Sequence, residues 1–315
     1  MQTKSSTLRE TEHRRKAILQ TAQAQAEALN GMYRDTLSAF LVAPNAVPLP
    51  RAARAMFWLG RLRQWRAIDL SGDEACPPPN VTSLQLGVIE SIAGTHALAL
   101  HKEKWSGPHS RQAYERDMAL QVAMLLALEW RELAAFALQA WFGTSSELAS
   151  LHPVSGMTGL IIGVAGQALG VGVPQATFQK GDAVLSKIVE HWQDSDIAFA
   201  PLARELADRH VNQCRLDTDH SLFDFDHPVE QTIPVELLML LRLRDGDGDG
   251  DEVPAWLARH GAFSHPAAVM LKAITPSQSQ RCHSFITSAT TLLPQYGDLS
   301  AALDRQLSAS RRISS

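Results

Sequence analysis

Prolines head one apolar segment after another in this chain: Pro50, Pro201, Pro234, Pro254, Pro266 and Pro276 each stand where a helix-period run begins. A proline is harmless in the first helical turn, where its missing N–H has no intrahelical partner, and disruptive further in. The chain is thereby cut into helices at marked points. Thr7 and Glu10 form a capping-box pattern, after which Ile18, Ala22, Leu29, Met32, Leu37 and Phe40 keep one face apolar until Pro44. Further helices are expected over Pro50–Ala67, Ser83–Lys102 and Tyr114–Trp141, and from Asp182 and Asp298 onward. Thr144 and Glu147 repeat the capping-box spacing. No run reads as a strand, and no solenoid-length repeat has recurring side chains. The expected fold is all-α, a multi-helix array of packed helical hairpins with no significant sheet.

The segment SGDEACPPPN (71–80) interrupts this pattern, because three consecutive prolines enforce an extended path. Residues 1–70 are therefore expected to pack as N-terminal helices on a main helical body, 83–315, across a linker at 71–82. A chain of 315 residues buries a substantial core as one domain or two. Its net charge of −4 argues against a general nucleic-acid binder. Cys76, Cys214 and Cys282 form no CxxC pair, so neither a disulfide framework nor a zinc ribbon is indicated, and a reducing, cytoplasmic setting is expected. The first twenty residues lack the apolar core of a secretory signal. The uncharged stretch Gly156–Val173 approaches the length of a membrane span, but its six glycines make it weakly apolar. A buried helix in a protein that does not enter the membrane is the expectation.

Two acidic segments draw attention. LRLRDGDGDGDEVPAW supplies Asp245, Asp247, Asp249 and Gly250 in the order of an EF-hand loop, yet its twelfth position is Trp256, which cannot chelate calcium. Glycine and aspartate there predict an exposed connector instead. DTDHSLFDFDH repeats Asp-x-Asp-His as Asp217, Asp219, His220 and Asp224, Asp226, His227, with His210 and Cys214 upstream at i, i+4 spacing. These donor types bind transition metals, but the spacing matches no zinc signature. A polar connector anchored by Phe223 and Phe225 is the plainer reading.

Catalytic motifs are lacking. Ser155 has no GxSxG elbow around it, the glycine-rich stretch has no GxxxxGK[ST] loop, and Glu129 and Glu132 flank Arg131 as solvated helix charges. The helix RAARAMFWLGRLRQWRA (51–67) carries five arginines, two tryptophans and no acid. Arg with Trp can clamp phosphate and stack bases, and Arg54 and Arg61 share a face. Against this, an amphipathic helix with its tryptophans in the core and its arginines paired to distant acids explains the same residues.

LALEWRELAAFAL (126–138) and HPVEQTIPVELLMLLRLRD (227–245) together resemble the helical immunity proteins that accompany bacterial polymorphic and secreted toxins. The resemblance is one of cadence and transfers no residue roles. It implies a non-enzymatic protein that neutralises one cognate protein toxin; no catalytic residue, metal, cofactor, nucleic-acid partner or membrane is expected. Acidic loops suit the basic cleft of a toxin acting on anions. The contacts expected are Asp217, Asp219, Asp224 and Asp226, with Asp245, Asp247, Asp249, Asp251 and Glu252. Two alternatives compete: a metal-dependent helical enzyme using His210, His220 and His227, and a regulator or nucleic-acid adaptor built on Arg51–Arg66.

Overall fold

A computed structural model describes residues 29–68, 80–104, 115–143, 154–218, 220–245, 253–269 and 276–313. They are predominantly α-helical. Helix α1 covers residues 29–42 and is followed by α2 (Leu49–Ile68), α3 (Val81–Lys104), α4 (Glu115–Ala127) and α5 (Arg131–Phe142). Next come β1 (Val154–Ser155), α6 (Gly156–Leu169), β2 (Ala176–Thr177), α7 (Ala183–His191), α8 (Asp196–Gln213), α9 (Pro228–Thr232) and α10 (Val235–Asp245). The chain ends with α11 (Ala255–Ala258), α12 (Pro266–Val269), α13 (Gln280–Leu292) and α14 (Gly297–Ile313). The strands pair in parallel, Val154 against Ala176 and Ser155 against Thr177, so the sheet among the described residues is one short ladder. Thr7, Glu10, Thr144, Glu147 and the proline-rich linker lie outside them.

Helices α2 and α3 form an antiparallel hairpin with an unusually close seam. A Cβ on Gly94 would lie 2.5 Å from the Ala53 oxygen and the Phe57 nitrogen, and one on Gly60 would lie 2.6 Å from the Gly87 oxygen. Glycine is required here by backbone contact across the seam. The hairpin is tied to α13 through Glu90, wholly buried on α3, which accepts from Ser279 Oγ at 2.6 Å and Arg281 at 2.7 Å and pairs with Arg63 at 3.1 Å.

The single helix expected over Tyr114–Trp141 is two. Trp130 N–H donates to the Leu125 carbonyl and Glu129 N–H to that of Leu126, while Glu129 takes a left-handed φ of 59°. This is a Schellman ending, closed by the buried Trp130. Apolar periodicity runs through the break because both helices face one core, in which nearly all of α4 is buried. Helix α8 likewise starts at Asp196, before Pro201, and the carbonyl that Pro201 leaves without its helical donor belongs to Ile197, an exposed residue. Helix α13 starts at Gln280, where Ser279 Oγ accepts from Cys282 N–H at 3.1 Å, and not at Pro276.

The glycine-rich stretch is helix α6, buried along much of its length and ended by Gly170 at φ 66°. Among the described residues no helix is long and apolar enough to cross a membrane.

Candidate functional site

The arginine–tryptophan helix and the Asp-x-Asp-His cluster, read separately in the sequence, meet in one cavity of about 780 Å³. Helix α2 forms one wall with Phe57, Trp58, Arg61 and Trp65, and the first turn of α4 contributes Glu115, Arg116 and Asp117. The 215–227 loop closes the opposite side with Asp217, Phe223, Asp226 and His227. That loop is held by Phe225, which is fully buried and bridges to Cys214, and of the aspartates on either side of it Asp226 meets Arg116 of α4 while Asp224 meets Arg209 of α8. At the rim, Leu29, Leu216 and Leu222 are exposed apolar residues.

Beneath the cavity Arg61 reaches Glu230 of α9 with both terminal nitrogens, one at 2.6 Å from Oε1. Both side chains are almost fully buried. Burial alone would raise the Glu230 carboxyl, but Arg61 overrides it and holds the group well below the usual carboxylate range. Burial and the Arg61 charge lower His227 to about 4, against the pull of Glu230. The neutral ring fits its position: Nδ1 accepts the Val229 N–H at 3.3 Å, capping α9, and the imidazole lies 6.2 Å from Trp58 and 5.8 Å from Trp65.

On the cavity wall one cation serves several anions. Arg116 contacts Asp217 at 3.0 Å, Asp226 at 2.9 Å and Asp117 at 3.9 Å, and donates to the Phe223 carbonyl at 2.6 Å. Asp224 is balanced separately by Arg209 at 2.8 Å. Arg61 being spent on Glu230, three carboxylates share Arg116. Two of the three, Asp117 and Asp226, have carboxyls raised above the usual aspartate value. Burial raises Asp226 to about 6, with Asp117, Asp217 and Glu230 adding to it against Arg116, and burial likewise raises Asp117 against Arg61 and Arg116. A partly open pocket with surplus carboxylate and aromatic walls favours a cation that carries apolar surface.

Of the residues expected to make contacts, Asp217, Asp224 and Asp226 border this cavity. Asp219, Asp247, Asp249, Asp251 and Glu252 lie outside the described residues, and α10 ends at Asp245. The histidines of the metal reading go to different places. His210 is buried with Nδ1 2.8 Å from Glu236, and although burial opposes its charge, Cys214 and Glu236 raise it to about 10. His220 is exposed on the loop, and His227 caps α9. Among the described residues no three His, Cys, Asp or Glu side chains are grouped to hold a metal ion.

The arginines of α2 also part company, Arg61 going to Glu230 and Arg63 to Glu90, so the helix presents no single basic face. Trp58 and Trp65 are half-buried and line the cavity, and Trp65 also packs against the core. Arg116 and Glu230 carry no sequence signal, since their partners Asp217 and Arg61 lie 101 and 169 positions away. Comparison with protein-family models, with curated proteins and with solved structures finds no match to this chain.

Proposed function

We propose that this chain is a non-enzymatic binding protein of the immunity type, which captures a cognate protein toxin by taking one of its basic side chains into the cavity between α2, α4 and the 215–227 loop. The observation that carries this reading is the shared use of Arg116 by Asp117, Asp217 and Asp226 inside an aromatic-walled opening. An arriving guanidinium or ammonium would supply the missing positive charge, stack on Trp58 or Trp65, and lay flanking apolar residues on Leu29, Leu216 and Leu222. The resemblance of 126–138 and 227–245 to helical immunity proteins agrees with it, and so does the acid surplus, which would steer a basic toxin toward the site.

The test is co-expression with the product of the adjacent gene, followed by binding kinetics on the purified pair. Rescue of growth and a saturable complex are expected, with Asp217→Asn/Asp226→Asn slowing association most at low salt and Trp58→Ala speeding dissociation. Growth arrest despite co-expression, or kinetics indifferent to all three changes, would overturn the reading.

A further inference from the structure

On the other flank of α2, separated from the acidic cavity by Leu62, lies a second pocket of about 400 Å³ that is lined by four arginines: Arg34 of α1, Arg63 and Arg66 of α2, and Arg281 of α13. Asn30 and Ser83 add neutral polar groups to its wall. Four helices converge there, so the guanidinium groups are held on a frame and not strung along one solvated face. Like charges gathered in this way repel, and the described structure neutralises them only in part. Arg63 and Arg281 divide a single oxygen of Glu90, at 3.1 and 2.7 Å. Arg281 Nε, although buried, has no hydrogen-bond partner among the described residues. Even with Arg66 left out of the account, three guanidinium groups meet one carboxylate, in a chain whose overall charge is negative.

We infer that this pocket binds a small phosphate-bearing anion, either free phosphate or the phosphomonoester end of a mononucleotide-sized ligand. A tetrahedral dianion offers several acceptor oxygens to forked donors, which is the arrangement guanidinium groups match best. The volume exceeds that of a phosphate alone and falls at the small end of ligand cavities, leaving room for one attached group. The site is distinct from the acidic cavity, and its ligand has the opposite charge.

The experiment titrates the full-length protein with inorganic phosphate, a nucleoside monophosphate and chloride at equal ionic strength, by calorimetry and thermal melting. One saturable site for phosphate or the monophosphate is expected, with no effect of chloride. Equal affinities for the two probes would assign the site to free phosphate, and tighter binding of the monophosphate would assign it to a phosphomonoester. Arg34→Gln, at an exposed position, and Arg63→Gln should each weaken binding about tenfold, the loss of one charge-assisted hydrogen bond. Melting without added anion reports whether each variant is folded, and Arg34→Gln serves alone should Arg63→Gln unfold. No saturable binding of either phosphate probe, or unchanged affinity in a folded Arg34→Gln, would overturn the inference.

Discussion

Arg61 on α2 and Glu230 on α9, 169 positions apart, form a doubly bonded, almost fully buried ion pair at the wall of the acidic cavity. Breaking a buried pair from one side strands a charge, whereas removing both partners removes the demand. Arg61→Met is therefore expected to destabilise the fold by about 3–5 kcal/mol, and Arg61→Met/Glu230→Leu by much less. Urea unfolding of the single and double variants checks this, and additive losses would contradict it.

Opposite outcomes are expected for alanine at a glycine of the α2–α3 seam and at one of α6. Gly94→Ala drives a methyl into the backbone of Ala53 and Phe57, and a loss of about 1–3 kcal/mol is expected. At Gly163 on α6 the nearest atom to an added Cβ is Val189 Cγ1 at 3.6 Å, an ordinary contact. Gly163→Ala should stabilise by about 0.5–1 kcal/mol through helix propensity. Melting temperatures moving in the same direction for both would refute the account.

His96 predicts acid lability. Its ring is buried among Phe136, Tyr296 and Trp141, whose Nε1 donates to His96 Nδ1 at 3.4 Å, and burial lowers it to about 3. The folded state thus binds the proton more weakly than the unfolded one, so stability is lost as pH falls below 6.5, toward 3. The slope from this residue alone is about 1.4 kcal/mol per pH unit. His227, lowered to about 4, adds loss over the upper part of the same window. His96→Gln keeps an acceptor for Trp141 and should flatten the fall in unfolding free energy between neutral pH and about 4.5. An unchanged slope would contradict the assignment.

Asp226 predicts the reverse sign. Its carboxyl, raised to about 6, holds a proton more tightly in the folded state than in the unfolded one. Its contribution to stability is greatest at low pH and is lost as pH rises through 6. A cationic partner favours the ionised form, so capture of a basic protein should weaken as pH drops from 7 to about 5. A carboxyl carbon resonance titrating near 6 and missing in Asp226→Asn would establish the group. A midpoint in the ordinary aspartate range would remove the expected pH dependence.

Local physics determined most of the secondary structure. Pro50, Pro266 and the apolar periods around them act over a single turn, so helix identity and several boundaries can be read directly from neighbouring residues. The exceptions are positions where a distant contact prevailed. The Glu129 break is invisible to periodicity because α4 and α5 bury their faces in the same core, and Pro201 is tolerated inside α8 where the carbonyl it leaves without a helical donor belongs to the exposed residue Ile197. The cavity belongs wholly to tertiary structure. Asp217, Asp226, Trp58 and Trp65 are conspicuous by type in the sequence, but their chemistry depends on which cation each anion must share. Arg61 faces Glu230, and Arg116 faces Asp217 and Asp226, because tertiary packing set those distances. Coulomb energy and desolvation depend on separation and burial in space, and neither quantity is written in the order of residues.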